Sequence, residues 1–127
     1  MKTKIGPSKI HGIGLFADEL IPNGTILWKY VPGFDLRFTK EEVEKLPEAV
    51  QKFIHFYDYE SKDTGYLVIC ADNARFYNHS EDPNTEGIDL PETDGEGGDV
   101  AARDIHLGEE ITCDYEKMDF AYKQKLL

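Results

Sequence analysis

The chain has 127 residues, with 25 acidic side chains against 14 Lys plus Arg and a formal net charge of -11. That length suits one domain over residues 1–127 with a modest core, able to bury roughly two-thirds of the surface of its unfolded chain. The charge excludes direct nucleic-acid binding and favours basic partners. With 7 Tyr, 7 Phe and Trp28, the composition argues against disorder. No apolar run reaches membrane-spanning length, and residues 1–7 lack the apolar stretch of a secretory signal. No membrane contact is expected, and the expected location is the cytoplasm. Cys70 and Cys113 are too few for a disulfide framework or a four-thiolate zinc site, and both read as buried thiols. The histidines His11, His55, His79 and His106 lack paired spacing, so no metal site is expected.

Residues 13–17 are strand-like, Pro22-Asn23-Gly24 is a turn, residues 25–31 form a second strand, and Pro32-Gly33 breaks the chain. A helical insert follows over about residues 39–65. Thr39, with Glu42 three residues on, reads as a capping box, and Val43 and Leu46 supply apolar positions. A second helix starts after Pro47. Val50, Phe53, Ile54 and Tyr57 fall at i, i+3, i+4 and i+7, which predicts one buried face, widened by Phe56. Residues 66–71 form a clear strand. From Glu81 to Asp99 there are eight acids and no Lys or Arg. Alone, that segment reads as a solvated loop; its functional reading is a steering surface for a lysine-rich substrate. Residues 99–105 predict a strand, Leu107-Gly108 a turn, and residues 110–115 a half-buried strand ending at Tyr115. The tail, about 116–127, carries Phe120, Tyr122 and Leu126. The expected fold is mostly β and irregular α+β: short strands around one helical insert.

Three segments carry possible chemistry. Gly12-Ile13-Gly14-Leu15-Phe16-Ala17 fits a loose dinucleotide pattern, with Asp35 downstream. That reading is rejected, because a preceding strand would cross Gly6 and Pro7 and a following helix would meet Pro22-Asn23-Gly24. A glycine turn remains, or a backbone loop that lets a flat ligand approach closely. The second segment runs from Asn73 through Arg75, Phe76, Asn78, His79 and Ser80 to Pro83-Asn84, and its composition says loop. Adjacent His79 and Ser80 point apart on an extended chain and lack a nucleophile elbow. The third, residues 103–115, is a hairpin by itself, with Tyr115 a core aromatic.

In this order and spacing the three segments resemble the SET domain family of protein-lysine methyltransferases. Residues 12–17 resemble the N-terminal signature, residues 72–80 with Pro83-Asn84 the central one, and residues 108–115 the C-terminal one. The likeness runs from about Lys9 to Tyr115 and is nearest to compact stand-alone bacterial members. The resemblance implies small β-sheets around a helical insert, with the last strand drawn through a loop as a C-terminal pseudoknot. It implies S-adenosylmethionine as cofactor and a basic, lysine-containing protein as substrate, entering from opposite faces into a narrow channel. Gly12, Ile13 and Gly14 would cradle the cofactor's amino-acid end. The Asn78 side chain and the His79 backbone would hold it, with Arg75 and Phe76 as further contacts. Tyr115 would be the catalytic tyrosine, and Tyr30 and Cys113 would line the lysine channel.

Methyl transfer to an amine is an in-line displacement, and alignment alone can contribute on the order of 7–11 kcal/mol. Weak C–H···O contacts from the Tyr115 hydroxyl and backbone carbonyls would orient the methyl. The lysine must arrive neutral, with water as the expected proton acceptor, so no side-chain base is nominated. Two departures stand out. Cys113 occupies a position where many relatives carry Phe or Tyr, which predicts room for more than one methyl. No cysteine-rich segment follows Tyr115, so Phe120 or Tyr122 is expected to pack over the cofactor. A SET-like module that binds basic peptides without catalysis is the competing expectation.

Overall fold

The computed structural model describes residues 1–118. Strand β1 (Thr3–Pro7) pairs antiparallel with β2 (Ile13–Ala17), in register from Thr3 opposite Ala17 to Pro7 opposite Ile13. Ser8 closes the turn between them: its N–H donates to the Gly12 carbonyl, and its hydroxyl accepts from the Ile10 N–H. Strand β1 is absent from the sequence reading because Gly6 and Pro7 argue against a strand. An edge strand tolerates both, since half its backbone groups need no partner. One ground for rejecting the dinucleotide pattern therefore falls, but the other holds: Gly14 lies within a strand, and no helix follows it.

Beyond the Pro22-Asn23-Gly24 turn come β3 (Ile26–Lys29) and β4 (Leu36–Phe38). Helix α1 (Lys40–Glu44) begins at the expected capping box, with Thr39 and Glu42 each bonding the other's backbone N–H. Helix α2 (Glu48–Tyr57) follows Pro47. Its expected buried face is corrected: Ile54 is buried, while Val50, Phe53 and Phe56 are exposed, Phe56 at 68%. The strands beneath are three residues or fewer, so α2 finds only a small second core of Val43, Ile54, Leu67 and Ile69.

The chain continues through β5 (Tyr59–Glu60), β6 (Leu67–Ile69), a 3-10 turn (Asn73–Phe76) capped by Asp72, and β7 (Asn78–His79). Strands β8 (Thr85–Ile88), β9 (Gly98–Ala101) and β10 (Glu110–Cys113) precede a short helix α3 (Tyr115–Met118). The strand expected over 99–105 stops at Ala101, beyond which Ile105 makes only an isolated bridge to Ile21. Tyr115 opens a helix; it does not end a strand, because the chain leaves the sheet at Asp114.

Three sheets result, in the orders β1-β2-β10-β7, β3-β9-β8 and β4-β6-β5. Strand β10 lies between β2, antiparallel, and β7, parallel. Asn84 fastens it there: its carbonyl oxygen accepts the Thr112 N–H at 2.9 Å, and its amide donates to the Glu110 carbonyl at 2.8 Å. Thr85 adds a hydroxyl bond to the Thr112 carbonyl. The main core, with Leu15, Ile21, Val68, Ile105 and Ile111 near its centre, sits where the sheets meet.

The acidic segment is only partly a solvated loop. It contributes β8 and half of the β8–β9 pairing, and Glu96 is buried against Arg37 at 2.9 Å. The Arg37 guanidinium lies over the Tyr66 ring at 4.4 Å and also faces Tyr30, and Thr64 donates a hydroxyl bond to Glu96. Removing one partner strands a buried charge, which costs about 3 kcal/mol or more. Arg37→Ala is therefore expected to lose roughly 3 kcal/mol in a urea denaturation series; a loss within about 0.5 kcal/mol, as for an exposed pair, would contradict this reading.

Candidate active site

The glycine turn is held from behind by a polar knot. Glu110, on β10, accepts the Ser8 hydroxyl at 2.7 Å and the Asn78 amide at 2.8 Å. The same Asn78 amide donates to the carbonyls of His11, at 3.0 Å, and Ile13. A Cβ at Gly14 would meet the Glu110 carboxylate and force it away from its bonds to Ser8 and Asn78. Gly12 has φ +45°, and a Cβ there would meet no protein atom within 4 Å, which leaves clearance beside the backbone. The Asn78 N–H groups are thus spent on the protein itself. Its side chain braces the turn, and Asn78 also lines the cleft.

Pairing of β7 with β10 brings His79 beside Tyr115. The His79 Nδ1 accepts the Tyr115 N–H at 3.0 Å, so that nitrogen carries no proton and any ring proton sits on Nε2. The Tyr115 hydroxyl donates to the Tyr77 carbonyl at 2.6 Å, which fixes the ring at both ends. A histidine whose free-acceptor nitrogen is used in this way is a positioning group.

Two cavities meet at Tyr115, and a third adjoins one of them. A broad cleft of about 910 Å³ is lined by His11, Gly12, Ile13, Arg75, Phe76, Asn78 and His79, with Tyr115 at its inner end. Behind Tyr115 a throat of about 70 Å³ runs between Trp28, Tyr59, Tyr77 and the thiols Cys70 and Cys113. The throat shares Trp28, Tyr59 and Asp99 with a third cavity, a mouth of about 330 Å³ lined by Asp63, Asp89 and Glu96 together with Lys62 and Lys117.

The polar groups of the inner throat wall are largely buried. Burial pushes the Tyr77 phenol and the Cys70 thiol well above their ordinary ranges and raises Tyr59 too. The Trp28 Nε1 and the Tyr77 hydroxyl are buried donors with no partner among the described residues, so a bound group or water can satisfy them. At the join of throat and mouth stands Asp99, whose carboxyl burial pushes up to about 7.

The expected cofactor contacts Gly12, Ile13, Arg75, Phe76, Asn78, His79 and Tyr115 all line the cleft, while Gly14 lies behind it. Arg75 lies over the Phe76 ring at 4.9 Å and also faces Tyr57. Cys113 and Tyr115 line the throat. Tyr30 lines none of the three cavities: it is buried in the main core against Arg37. The aromatic wall comes instead from Trp28, two residues earlier, and from Tyr59 across an edge-on ring contact of 6.4 Å. Trp28, Tyr59, Tyr77 and Asp99 escape the sequence reading. Only the position of Tyr77, directly before Asn78, gives any signal. Phe120 and Tyr122 lie outside the described residues.

Small sheets, a last strand clasped between β2 and β7, and a tyrosine set between a cleft and a throat define a SET-type architecture. Residues 12–116 match the SET domain family, and the chain belongs to it. It is 32% identical over 130 residues to an Arabidopsis thaliana protein named as a histone-lysine N-methyltransferase, ASHH4, covering 97% of this chain and 36% of that protein. It is 30% identical to the Drosophila melanogaster histone-lysine N-methyltransferase trr, over 86% of this chain and 4% of that one. The chain therefore spans 36% or less of these relatives' lengths. A crystal structure of a Plasmodium falciparum protein named as a histone methyltransferase superposes with a TM-score of 0.59 at 25% identity, covering 90% of this chain and 92% of that one.

Proposed function

We propose that this chain transfers a methyl group from S-adenosylmethionine to the side-chain amine of a lysine in a basic protein. The observation that carries the reading is Tyr115 at the join of a broad cleft and a narrow throat that opens, at its far end, onto an acidic mouth. The cleft fits the cofactor: a clear backbone edge at Gly12 suits its amino-acid end, and the Phe56, Tyr57 and Phe76 rings suit a flat base. When bound, S-adenosylmethionine supplies a methyl group on a positively charged sulfur. The protein's own part is placement. His11, Gly12, Ile13 and the His79 backbone would hold the cofactor on one side. Trp28, Tyr59 and Tyr77 would strip water from the lysine stem and keep it straight, so that the amine is delivered to the Tyr115 oxygen. A net charge of -11 would draw a basic partner toward the mouth.

The test is radiolabelled methyl transfer into a bacterial lysate, comparing the protein with Tyr115→Phe. Label on lysine that depends on Tyr115 supports the reading, and equal labelling by both sinks it.

Cys113 is buried in the throat wall. With so small a side chain there, peptide mass spectrometry is expected to find di- or trimethyl-lysine. Cys113→Phe is expected to shift the product to monomethyl-lysine by filling the space a first methyl would occupy. Strict monomethylation by the unaltered protein would count against this.

A further inference from the structure

We infer that Asp99 receives the ammonium group of the incoming lysine at the inner end of the mouth and takes its proton before the amine passes Tyr115. This rests on the methyltransferase reading and adds a proton acceptor to it. Three observations converge. Asp99, on β9, is the one acidic residue shared by the throat and the mouth among the described residues, so a lysine stem threading from solvent to Tyr115 passes it. Its carboxylate makes no hydrogen bond or ion pair within the described residues. The Trp28 Nε1 and the Tyr77 hydroxyl, both buried in the throat wall, likewise have no partner. One carboxylate and two buried donors line the path. The carboxylate can accept from an ammonium, and the buried donors can be met by a group with a lone pair, such as the neutral amine left after proton loss.

Several charged and titratable groups share the path. Tyr57 at the end of α2, Tyr59 on β5, Cys70 after β6, Arg75 on the 3-10 turn, Tyr77 before β7, Cys113 at the end of β10 and Tyr115 at the start of α3 line the throat. Asp58, at the end of α2, joins them there. Lys62, Asp63, Asp89, Glu96 and Lys117 line the mouth. None of the cations lowers the Asp99 carboxyl, which burial alone pushes up to about 7. An acceptor poised there is partly ionised near neutral pH and basic enough to hold a proton.

The proton balance is simple. An Nζ–H bond of the ammonium breaks, an O–H bond forms on Asp99, and the electron pair stays on nitrogen. Water at the mouth then takes the proton from Asp99 and restores the carboxylate.

Asp99→Asn keeps the shape and removes the charge. Three measurements separate the outcomes. The first is calorimetric binding of a synthetic peptide carrying one lysine among arginines, and of the same peptide with norleucine in place of the lysine. The protein is expected to prefer lysine about 10-fold, and D99N to bind both alike. Equal binding of the two peptides by the unaltered protein overturns the proposal. The second is the pH profile of kcat/KM, expected to rise through an inflection near 7 in the unaltered protein and to lose it in D99N, with about a 10-fold lower value at pH 7.5. An inflection kept in D99N overturns the proposal. The third is the melting temperature. The raised carboxyl makes stability fall as pH rises through about 7, the direction for an acid whose folded value exceeds its unfolded one. D99N is expected to lack that fall, and an equal fall in both proteins overturns the proposal. If the methyltransferase reading itself were wrong, transfer would be absent from the unaltered protein, while the peptide and melting arms would still judge Asp99.

Discussion

Tyr115→Phe is expected to lower methyl transfer on the order of 100-fold with the melting temperature nearly unchanged. The expectation follows from what the hydroxyl touches. It donates to the Tyr77 carbonyl at 2.6 Å, while the backbone N–H of the same residue is held by His79. The ring is therefore fixed from two sides, and its oxygen sits where cleft and throat meet. Loss of the hydroxyl frees the ring and removes the oxygen that would orient the amine. Misplacement of about an ångström in an aligned displacement costs roughly 100-fold. The stability cost is smaller, about 1 kcal/mol for one hydrogen bond. If Tyr115→Phe lowered the melting temperature as much as the transfer rate, its role would be structural. Turnover and thermal unfolding on the same preparation decide between the two.

Asn78→Ala is expected to abolish measurable S-adenosylmethionine binding and to cost about 3 kcal/mol of stability, since a buried knot loses its shared donor. One amide serves the His11 and Ile13 carbonyls and the Glu110 carboxylate. Without it the Glu110 charge keeps only the Ser8 hydroxyl among these bonds, and the turn that presents Gly12 and Ile13 loses its brace. Calorimetry with S-adenosylmethionine and denaturant unfolding check the two parts. Full affinity in a destabilised protein would show that the turn holds its shape without Asn78. Asn78→Asp tests the chemistry further. It keeps the size but sets a carboxylate against Glu110 and two carbonyls, and is expected to be worse than alanine.

Local chemistry was legible in the sequence wherever the signal is local. Thr39 and Glu42 make their capping box because both partners lie within one turn. The apolar run at Leu67–Ile69 is a strand buried on both faces. The segments around Gly12, Asn78 and Tyr115 carry residue types whose order and spacing identified the SET fold, and the matched family bears this out. The exposed face of α2 was misread for the converse reason. Periodicity reports that Val50, Phe53 and Ile54 share a side, but how much of that side is covered depends on the width of the sheet beneath. Strand β1 was missed because Gly6 and Pro7 look like breakers until the strand is known to be an edge.

What the sequence determined by itself is the set of parts: a glycine turn, an Asn-His pair and a late tyrosine, in an acidic chain of 127 residues. What only the tertiary structure decided is how they meet. Clasping β10 between β2 and β7 sets Glu110 behind the glycine turn and Tyr115 beside His79, across separations of up to about a hundred residues that no local pattern encodes. The same packing made Trp28 and Tyr59, not Tyr30, the walls of the throat, and set Asp99 where throat and mouth join. Side-chain direction along β3 and β9 depends on which face meets the core, and that is fixed by the whole sheet, not by the residues alone.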